Sequence, residues 1–265
     1  MIFLRLSGGL GNQLFQLSAA IYLAKNNNIV SISIDDTALN NYQVARDNEL
    51  VKFLRFDLGS ISVIFKSSVL SILRIPKFLP IFPFVSDKNF HKSSQKLKNL
   101  FLDGHFQDCW QKDDFYPIVS FIKSHLLRSE GLNVVNDCCV IHVRGGDFVE
   151  LGWNSVCDYG YYQSAIDYFK KQHRIFNFIV VTDDRLYASK LMQDLDVEYI
   201  FTDGNMASDF HKISEHPNRI LSSSTFSFWA SILGENPANG CVIAPKRWNP
   251  KSIRNITLPN EVLDI

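Results

Sequence analysis

The sequence lacks a net charge, a long apolar run and a leader-like start. Lysine plus arginine and aspartate plus glutamate number 27 each. A protein that mainly binds DNA or RNA is usually basic, because phosphate neutralisation dominates that affinity, so we expect no nucleic-acid partner. The sequence contains no stretch of about 18 uncharged apolar residues, so we predict no membrane span. The N-terminus reaches glycine too early for a signal peptide and has no cleavage pattern, so we expect a cytoplasmic protein.

Cysteine is scarce, and internal repeats and low-complexity tracts are absent. The cysteines are Cys109, Cys138, Cys139, Cys157 and Cys241. Their number is odd and no pair has zinc-finger spacing, so we predict reduced, mostly buried thiols. Hydrophobic residues make up 46% of the 265 residues, which is typical of a globular protein with a full core. The length allows one large domain or two of about 130 residues.

What the sequence does contain is an alternation of apolar strands and helical segments. Residues 2–6 predict a strand, residues 8–11 a glycine-rich turn, and residues 12–25 a helix with apolar residues at helical spacing. Residues 29–34 predict the next strand. A strand, helix and strand in this order indicate a parallel βαβ unit.

A second regular half begins near residue 137, after a less regular part at 38–128. The predicted strands are 138–143, 176–184, 197–201, 219–226 and 241–245, and the predicted helices are 159–172, 185–195 and 229–233. The polar motifs of interest lie just after apolar strands. Open α/β sheets bind ligands at that edge.

The first motif joins the first predicted strand to its helix, with glycine at positions 8, 9 and 11. Its helix N-terminus offers free N–H groups to an anion. A dinucleotide-binding fingerprint would need a third glycine where the chain has Leu14, although Asp35 stands at a plausible distance for ribose. Dinucleotide binding and a plain structural turn are the alternatives.

The second motif comprises residues 142–147, at the end of the strand 138–143. In an extended strand, His142 and Arg144 project to the same face, and an arginine there can bind two phosphate oxygens at once. Gly145 and Gly146 let the backbone turn close to the group that Arg144 holds. The alternative is a structural ion pair between Arg144 and Asp147.

The third motif is Thr182-Asp183-Asp184, which follows another apolar strand. Paired acids can hold a metal ion, or they can accept hydrogen bonds from a base or a ribose. Asp or Thr before a helix can equally cap its N-terminus. We predict one acid in the cap and the other at a ligand, without a metal.

The fourth motif is the hydroxyl-rich segment 222–229, between a strand and a helix. Hydroxyl groups and helix N-terminal amides together can form a phosphate cradle without a metal. Helix capping by the same hydroxyl groups is the alternative.

Taken in order, these motifs resemble those of the bacterial α-1,2-fucosyltransferases, glycosyltransferase family 11. SGGLGNQLFQ at 7–16 is similar to that family's opening motif, and IHVRGGDF at 141–148 is similar to its H-x-R-R-x-D segment. Shorter likenesses are DGHFQD at 103–108, DYGYYQSAIDYF at 158–169, VVTDDRLY at 180–187, SSSTFSFWASIL at 222–233 and IAPKRW at 243–248. The resemblance covers almost the whole chain except roughly 36–100.

The resemblance implies a GT-B-like α/β fold with two Rossmann-like domains facing a central cleft. We expect an acceptor-side domain at 1–134 and a GDP-fucose-binding domain at 135–265. Arg144, the catalytic candidate, matches the arginine at the donor β-phosphate, and His142 and Asp183 match groups around the guanine or ribose. The full donor-binding set implied is Asn12, His142, Arg144, Asp183, Ser224, Thr225 and Ser227. The acceptor-side candidates are His105, Gln107 and Asp147.

The implied reaction moves L-fucose from GDP-fucose, with inversion, to the 2-hydroxyl of a terminal galactose. Neither a cofactor nor a metal is expected. The implied acceptor is an oligosaccharide, such as an O-antigen unit on a lipid carrier, and residues 61–85, which mix apolar and basic side chains, would then contact the inner face of the cytoplasmic membrane. Core packing is the alternative for that segment.

One position departs from the family pattern. Gly145 stands where a second arginine is usual, which removes a cation from the donor region. The general base is left open between Asp147, Glu150 and no base at all. An NAD-dependent oxidoreductase and a non-catalytic nucleotide-sugar-binding module are the rival functions.

Overall fold

The computed structural model describes residues 1–41, 46–65, 83–91, 98–127, 137–195 and 197–262. The chain divides into two compact units, Met1–Arg128 and Ser129–Ile265. The domain boundary predicted at 134/135 falls in a stretch, 128–136, outside the described residues.

The first unit is a parallel sheet with helices in its connections. Its strands are β1 Ile2–Arg5, β2 Ser31–Asp35, β3 Ser62–Phe65, β4 Phe84–Val85 and β5 Leu100–Leu102. Its helices are α1 Leu10–Asn26, α2 Leu50–Phe53 and α3 Lys112–Ser124, with 3₁₀ turns at Leu39–Asn41 and Asp87–Asn89. The described strands lie in the order β3-β2-β1-β5-β4. The predicted βαβ unit is confirmed, since β1 pairs in parallel with β2 and α1 packs on both.

The second unit is also built on a parallel sheet. Its strands are β6 Cys138–Val143, β7 Asn177–Thr182, β8 Glu198–Phe201, β9 Asn218–Ile220, β10 Cys241–Ile243, β11 Arg247–Asn249, β12 Ser252–Ile253 and β13 Glu261–Val262. Its helices are α4 Asp147–Glu150, α5 Tyr159–Tyr168, α6 Arg185–Asp194, α7 Met206–Glu215 and α8 Thr225–Leu233. A 3₁₀ turn spans Trp153–Val156 and a π-helical turn spans Phe169–His173. The sheet order is β13-β10-β9-β6-β7-β8, and β11 and β12 form a separate antiparallel hairpin.

Both sheets reverse their strand order beside the first strand of the unit. In the first unit, β1 lies between β2 and β5. In the second unit, β6 lies between β7 and β9. Such a reversal opens a crevice at the carboxyl ends of the two central strands, because their connections leave in opposite directions. The predicted α/β fold with parallel sheets is therefore confirmed.

Two elements of the second half differ from the prediction. The strand predicted at 219–226 ends at Ile220, because the serine hydroxyl groups that follow bond to His142 and to the start of α8. Helix α7 was not predicted. Its signals were Asn205, whose side chain caps the helix by accepting from Ala207 N at 3.0 Å, and the buried residues Phe210 and Ile213.

A buried arginine ties two helices to the second sheet. Arg219 in β9 has no exposed surface, and its guanidinium donates to the backbone carbonyls of Ser214 at 2.9 Å and Ser231 at 3.1 Å. These carbonyls lie in the last turns of α7 and α8, where the helix dipoles favour a positive charge. Burial lowers the pKa of Arg219 to about 10, so it stays charged at neutral pH.

The remaining sequence predictions can be placed as follows. All five cysteines are free, and all but Cys109 are buried, as predicted. Most of the segment 61–85, namely 66–82, lies outside the described residues, so the prediction of membrane contact there stays open. In the part of the chain that the structure describes, we find no helix long and apolar enough to cross a membrane.

Candidate active site

The second, third and fourth motifs meet at the point where the second sheet reverses. Residues 144–147 follow β6, residues 183–184 follow its neighbour β7, and residues 222–224 follow its other neighbour β9. Parallel strands carry all three motifs to the same edge of the sheet. This edge is the ligand-binding position of open α/β sheets.

Arg144 is held between two carboxylates. Its Nη2 lies 2.7 Å from Oδ1 of Asp147, and its Nη1 lies 2.8 Å from Oδ2 of Asp183. The arginine side chain is 18% exposed, and its Nε is buried with no hydrogen-bond partner among the described residues. The structural ion pair with Asp147, the alternative reading of this motif, is therefore present. It leaves the second hydrogens of both Nη groups for a further acceptor.

The glycine turn after Arg144 is fixed by the third motif. Gly145 N donates to Oδ1 of Asp183 at 2.9 Å, and Gly146 N donates to Oδ2 of Asp184 at 3.3 Å. Gly146 has a φ of +46°, a left-handed conformation that favours glycine. The two acids and the glycine turn thus form one rigid assembly.

Asp184 also caps α6, as the sequence predicts for one of the paired acids. Its Oδ1 accepts from Tyr187 N at 3.0 Å. This bond is the largest cause of the lowered pKa of Asp184; burial opposes it, and the bond from Gly146 N adds a smaller lowering effect. Both oxygens of Asp184 and both oxygens of Asp183 therefore have partners within the protein. The predicted contact of Asp183 with guanine or ribose stays a prediction.

His142 joins the end of β6 to the loop after β9. Its ring Nδ1 lies 2.7 Å from the hydroxyl oxygen of Ser222, and its ring is 5.8 Å from that of Phe226. Burial, and then the positive charge of Arg144, lower the pKa of His142 to about 3. The imidazole is therefore neutral near pH 7 and contributes hydrogen bonding rather than charge.

The hydroxyl groups of the fourth motif mostly serve the start of α8. Ser224 is its N-cap and accepts from Phe226 N at 3.2 Å. Ser227 is fully buried and donates to the carbonyl of Ser224 at 3.1 Å. Thr225, the first helical residue, is partly exposed. The capping alternative is thus present, and the predicted donor contacts of these three residues stay predictions.

Two tyrosines of α5 donate hydrogen bonds to the strand ends that lead into these loops. Neither was singled out from the sequence. Tyr162 donates its hydroxyl to the carbonyl of His142 at 3.0 Å, and Tyr161 donates to the carbonyl of Leu221 at 2.6 Å. Both carbonyls stand at the strand ends that carry the second and fourth motifs. The adjacent tyrosines in DYGYYQ were a signal, because two large polar rings in a helix facing a sheet need partners for their hydroxyl groups.

In the first unit, two glutamines of the opening motif organise the crevice beside β1. Gln16 donates to the Ser7 hydroxyl at 2.8 Å and to the Gly104 carbonyl at 3.0 Å, so it joins the loops after β1 and β5. Gln13 donates to the carbonyls of Gly8 and Asp47 at 3.0 and 2.9 Å. The two glutamines of GNQLFQ therefore hold the loops of this unit together by hydrogen bonds.

The other candidates of the first unit lie near the same edge. Asn12 is in the first turn of α1 and partly exposed, and its amide would meet any β-carbon at Gly8. His105 is partly exposed, its backbone N donates to Asp87 at 3.2 Å, and its Nδ1 has no hydrogen-bond partner among the described residues. Gln107 is partly exposed in the same loop. Their predicted ligand contacts stay predictions.

Asp35, the residue that a dinucleotide-binding site would use for ribose, is otherwise occupied. It is buried, accepts from the Thr37 hydroxyl at 2.6 Å and lies 3.6 Å from Arg5. Arg5 also bonds to Asp103 at 3.2 Å. The acid therefore stabilises the ends of β1 and β2 instead of facing a ligand, which removes the remaining support for dinucleotide binding.

The candidate site can bind an anion with hydrogen-bond donors that the protein already holds in place. One guanidinium is oriented by carboxylates, a neutral histidine stands two residues before it in the chain, and a helix N-terminus with hydroxyl groups lies next to the histidine. Such preorganised donors stabilise negative charge that develops on a leaving group.

Comparison with known proteins assigns this architecture. A solved fucosyltransferase, NodZ from Bradyrhizobium, is 15% identical with a TM-score of 0.55, over 88% of this chain and 92% of that chain. Other NodZ crystals were grown with GDP or soaked with GDP-fucose. At this identity the likeness shows the fold alone.

Relatives by sequence are glycosyltransferases. The chain is 25% identical to the O-antigen biosynthesis glycosyltransferase WbnK of Escherichia coli, over 92% of this chain and 93% of that protein. It is 27% identical to an alpha-1,2-colitosyltransferase of Escherichia coli, over 94% and 92%. It is 29% identical to the galactoside 2-alpha-L-fucosyltransferase SEC1 of Bos taurus, over 35% and 27%. The model of glycosyl transferase family 11 matches residues 1–255, and the chain therefore belongs to glycosyl transferase family 11.

Proposed function

We propose that this glycosyltransferase moves L-fucose from GDP-β-L-fucose to the 2-hydroxyl of a terminal galactose and inverts the configuration of the donor carbon. The linkage is supported by two relatives whose names share it, the colitosyltransferase and the bovine galactoside fucosyltransferase. The donor is supported by the likeness of SGGLGNQLFQ and STFSFW to α-1,2-fucosyltransferase motifs.

The observation that carries the proposal is the position of Arg144. It is oriented by Asp147 and Asp183 at the reversal of the second sheet, and the second hydrogens of its Nη groups are left for an incoming acceptor. A donor β-phosphate would bind at the Nη hydrogens that the two carboxylates leave. In the transition state the sugar leaves the phosphate, so negative charge grows next to Arg144, where a fixed cation is most effective.

The other site residues would position the donor. His142 and Asp183 are proposed near the guanosine, and Ser224, Thr225 and Ser227 are proposed at the pyrophosphate side of α8. Asn12 is proposed to reach the donor from the first unit. In this arrangement the first unit contributes His105 and Gln107 to the acceptor side, and the second unit contributes Asp147.

The acceptor is proposed to be an oligosaccharide, because relatives include an O-antigen biosynthesis enzyme and a galactoside transferase. If the oligosaccharide is carried on a lipid, the enzyme would work at the membrane surface. Flotation with anionic liposomes at low salt tests this point, and a protein that stays wholly in the soluble fraction contradicts it.

A second donor is favoured by one observation. The colitosyltransferase matches 94% of this chain, whereas the bovine fucosyltransferase matches 35%. An α-1,2-colitosyl transfer would use the same linkage and the same Arg144, and would differ only in the sugar beyond the phosphate.

The experiment measures GDP released from GDP-fucose or GDP-colitose in the presence of a panel of β-galactosides, with product linkage assigned by NMR. We expect GDP release that depends on a galactoside and yields an α-1,2 bond. Fucose on O3 or O6 would refute the linkage but not the donor. GDP binding without acceptor-dependent release would instead indicate the non-catalytic binding module.

A further inference from the structure

Beside Arg144 the chain exposes a pair of aromatic rings. Phe148 and Trp153 lie edge to face, with their centroids 5.2 Å apart at an interplanar angle of 76°, and both side chains are partly exposed. The guanidinium carbon of Arg144 lies 5.3 Å from the centroid of Phe148. We call the two rings the aromatic step.

The backbone holds the aromatic step in place. Leu151 N donates to the carbonyl of Asp147 at 3.0 Å, and Gly152 N donates to that of Val149 at 3.1 Å. Gly152 is left-handed, with a φ of +68°, and turns the chain so that Trp153 returns to Phe148. The rings are therefore presented by a short, bonded turn that follows directly from the arginine motif.

Core packing does not account for this surface. In the sequence between Phe148 and Trp153, the side chains of Val149 and Leu151 are 41% and 48% exposed. Apolar side chains clustered at the mouth of a charged site usually mark a binding surface.

The surface has the chemistry that recognises a pyranose. A sugar ring has an apolar C–H face, which packs on an aromatic ring, and hydroxyl groups on its rim, which bond to carboxylates. Asp147 offers such a carboxylate next to the step, since its side chain is 37% exposed and only Oδ1 bonds to Arg144.

We infer that the aromatic step, Phe148 and Trp153, binds the pyranose ring of the acceptor oligosaccharide. The inference rests on the proposed function, in which Arg144 holds the β-phosphate at the bond that breaks. Phe148 is in contact with that arginine, so the step borders the reacting sugars, whereas guanine is separated from that bond by a ribose and two phosphates. Val149 and Leu151 add exposed apolar side chains to the same turn, and this added surface suits a sugar longer than the single residue of the donor.

The test compares Trp153→Ala, Trp153→Phe and Phe148→Leu with the wild type. We expect Trp153→Ala to raise the acceptor KM about tenfold, the value of one aromatic contact of about 1.4 kcal/mol. Trp153→Phe should recover most of the loss, and the Kd for GDP should stay within about twofold of wild type in every variant. Phe176→Ala, which removes an exposed aromatic ring ahead of β7, is the matched control and should leave both constants unchanged.

A binding measurement separates this inference from the proposed function. Saturation-transfer NMR with lactose needs no turnover, so the step can be tested even if no donor supports transfer. Lactose signals that weaken in Trp153→Ala but not in Phe176→Ala support the aromatic step. Equal signals in folded Trp153→Ala, Phe148→Leu and wild type would overturn it, as would a loss of GDP affinity that matches the loss of acceptor affinity.

Discussion

Gly145 packs so closely on Asp184 that an added β-carbon would lie 2.5 Å from the β-carbon of Asp184. The same glycine donates its N–H to Asp183 at 2.9 Å. An arginine at position 145, which the family resemblance would place there, is thus incompatible with the present position of the paired acids. The missing cation and the tight turn are two aspects of one local structure.

Restoring that arginine should harm the protein. We expect Gly145→Arg and Gly145→Ala to lower stability by about 1–3 kcal/mol, because either side chain must push the Asp184 loop away. Denaturant unfolding and GDP binding measure the result. Gly160→Ala is the control, because a β-carbon there meets nothing closer than 3.4 Å, and it should be neutral or slightly stabilising within α5. Tighter GDP binding by a stable Gly145→Arg protein would contradict this account.

Arg144 should be the most sensitive side chain for transfer. We expect Arg144→Ala to lower kcat/KM by roughly a hundredfold or more, equivalent to about 3 kcal/mol, and Arg144→Lys not to rescue it, because a point charge cannot bridge phosphate and carboxylates. Arg185→Ala, in which an exposed ion pair with Asp203 is lost, is the control and should keep its activity. Near wild-type turnover by Arg144→Ala would remove the basis of the proposed function.

His142 should make stability depend on pH in acid. Because its folded pKa is about 3 and its ordinary value is 6.5, the unfolded chain binds a proton below pH 6.5 that the folded protein does not bind. Stability is then complete above pH 6.5 and falls as the pH drops towards 3, by at most about 1.4 kcal/mol per pH unit. Urea unfolding at pH 7 and pH 5 should show a smaller decrease for His142→Gln than for wild type. His173→Gln should parallel the wild type, and an equal decrease in all three proteins would exclude this role for His142.

Transfer should not require a metal ion. Each oxygen of Asp183 and Asp184 already has Arg144 or a backbone amide as a partner, so a metal ion would have to share these oxygens with those donors. Activity should therefore survive excess EDTA. If chelation stopped the reaction and Mn²⁺ or Mg²⁺ restored it, the two acids would have to be reassigned as metal ligands.

Tyr162 should act as a positioning residue. Tyr162→Phe removes the hydroxyl that supports the His142 carbonyl, and we expect a loss of about 1 kcal/mol in stability. We also expect a lower kcat with little change in the donor KM, since the shape of the loop changes but no donor contact is removed. Tyr159→Phe, on the exposed side of α5, should leave kcat unchanged. A stability loss without any change in kcat would make Tyr162 purely structural.

Local pattern was sufficient to predict the strands and helices with clear periodicity. β6 has the bounds that its apolar run predicts, and α6 ends one residue before the predicted end. The strand order was beyond prediction, because β5 pairs with β1 across almost 100 residues of sequence and no local signal records a parallel partner.

The site shows the same limit. Asp184 as a helix cap could be predicted, since the cap and its helix are adjacent. The bond from Gly145 to Asp183 joins residues 38 positions apart, and the sequence alone could not say that Asp183 would bond to Gly145. Ser222 was similarly assigned to a strand, because its bond to His142 exists only once β9 lies beside β6.

Because the motifs lie at the carboxyl ends of the strands, where each sheet reverses, a probe can be attached at the amino-terminal ends of the strands without contacting the motifs. Val30 precedes β2 and is 65% exposed, and Phe176 precedes β7 and is 55% exposed. Each stands at the far end of its sheet from the motifs, and one belongs to each unit. A fluorophore attached at either position would therefore report on its own unit during donor binding without touching the crevice of that unit.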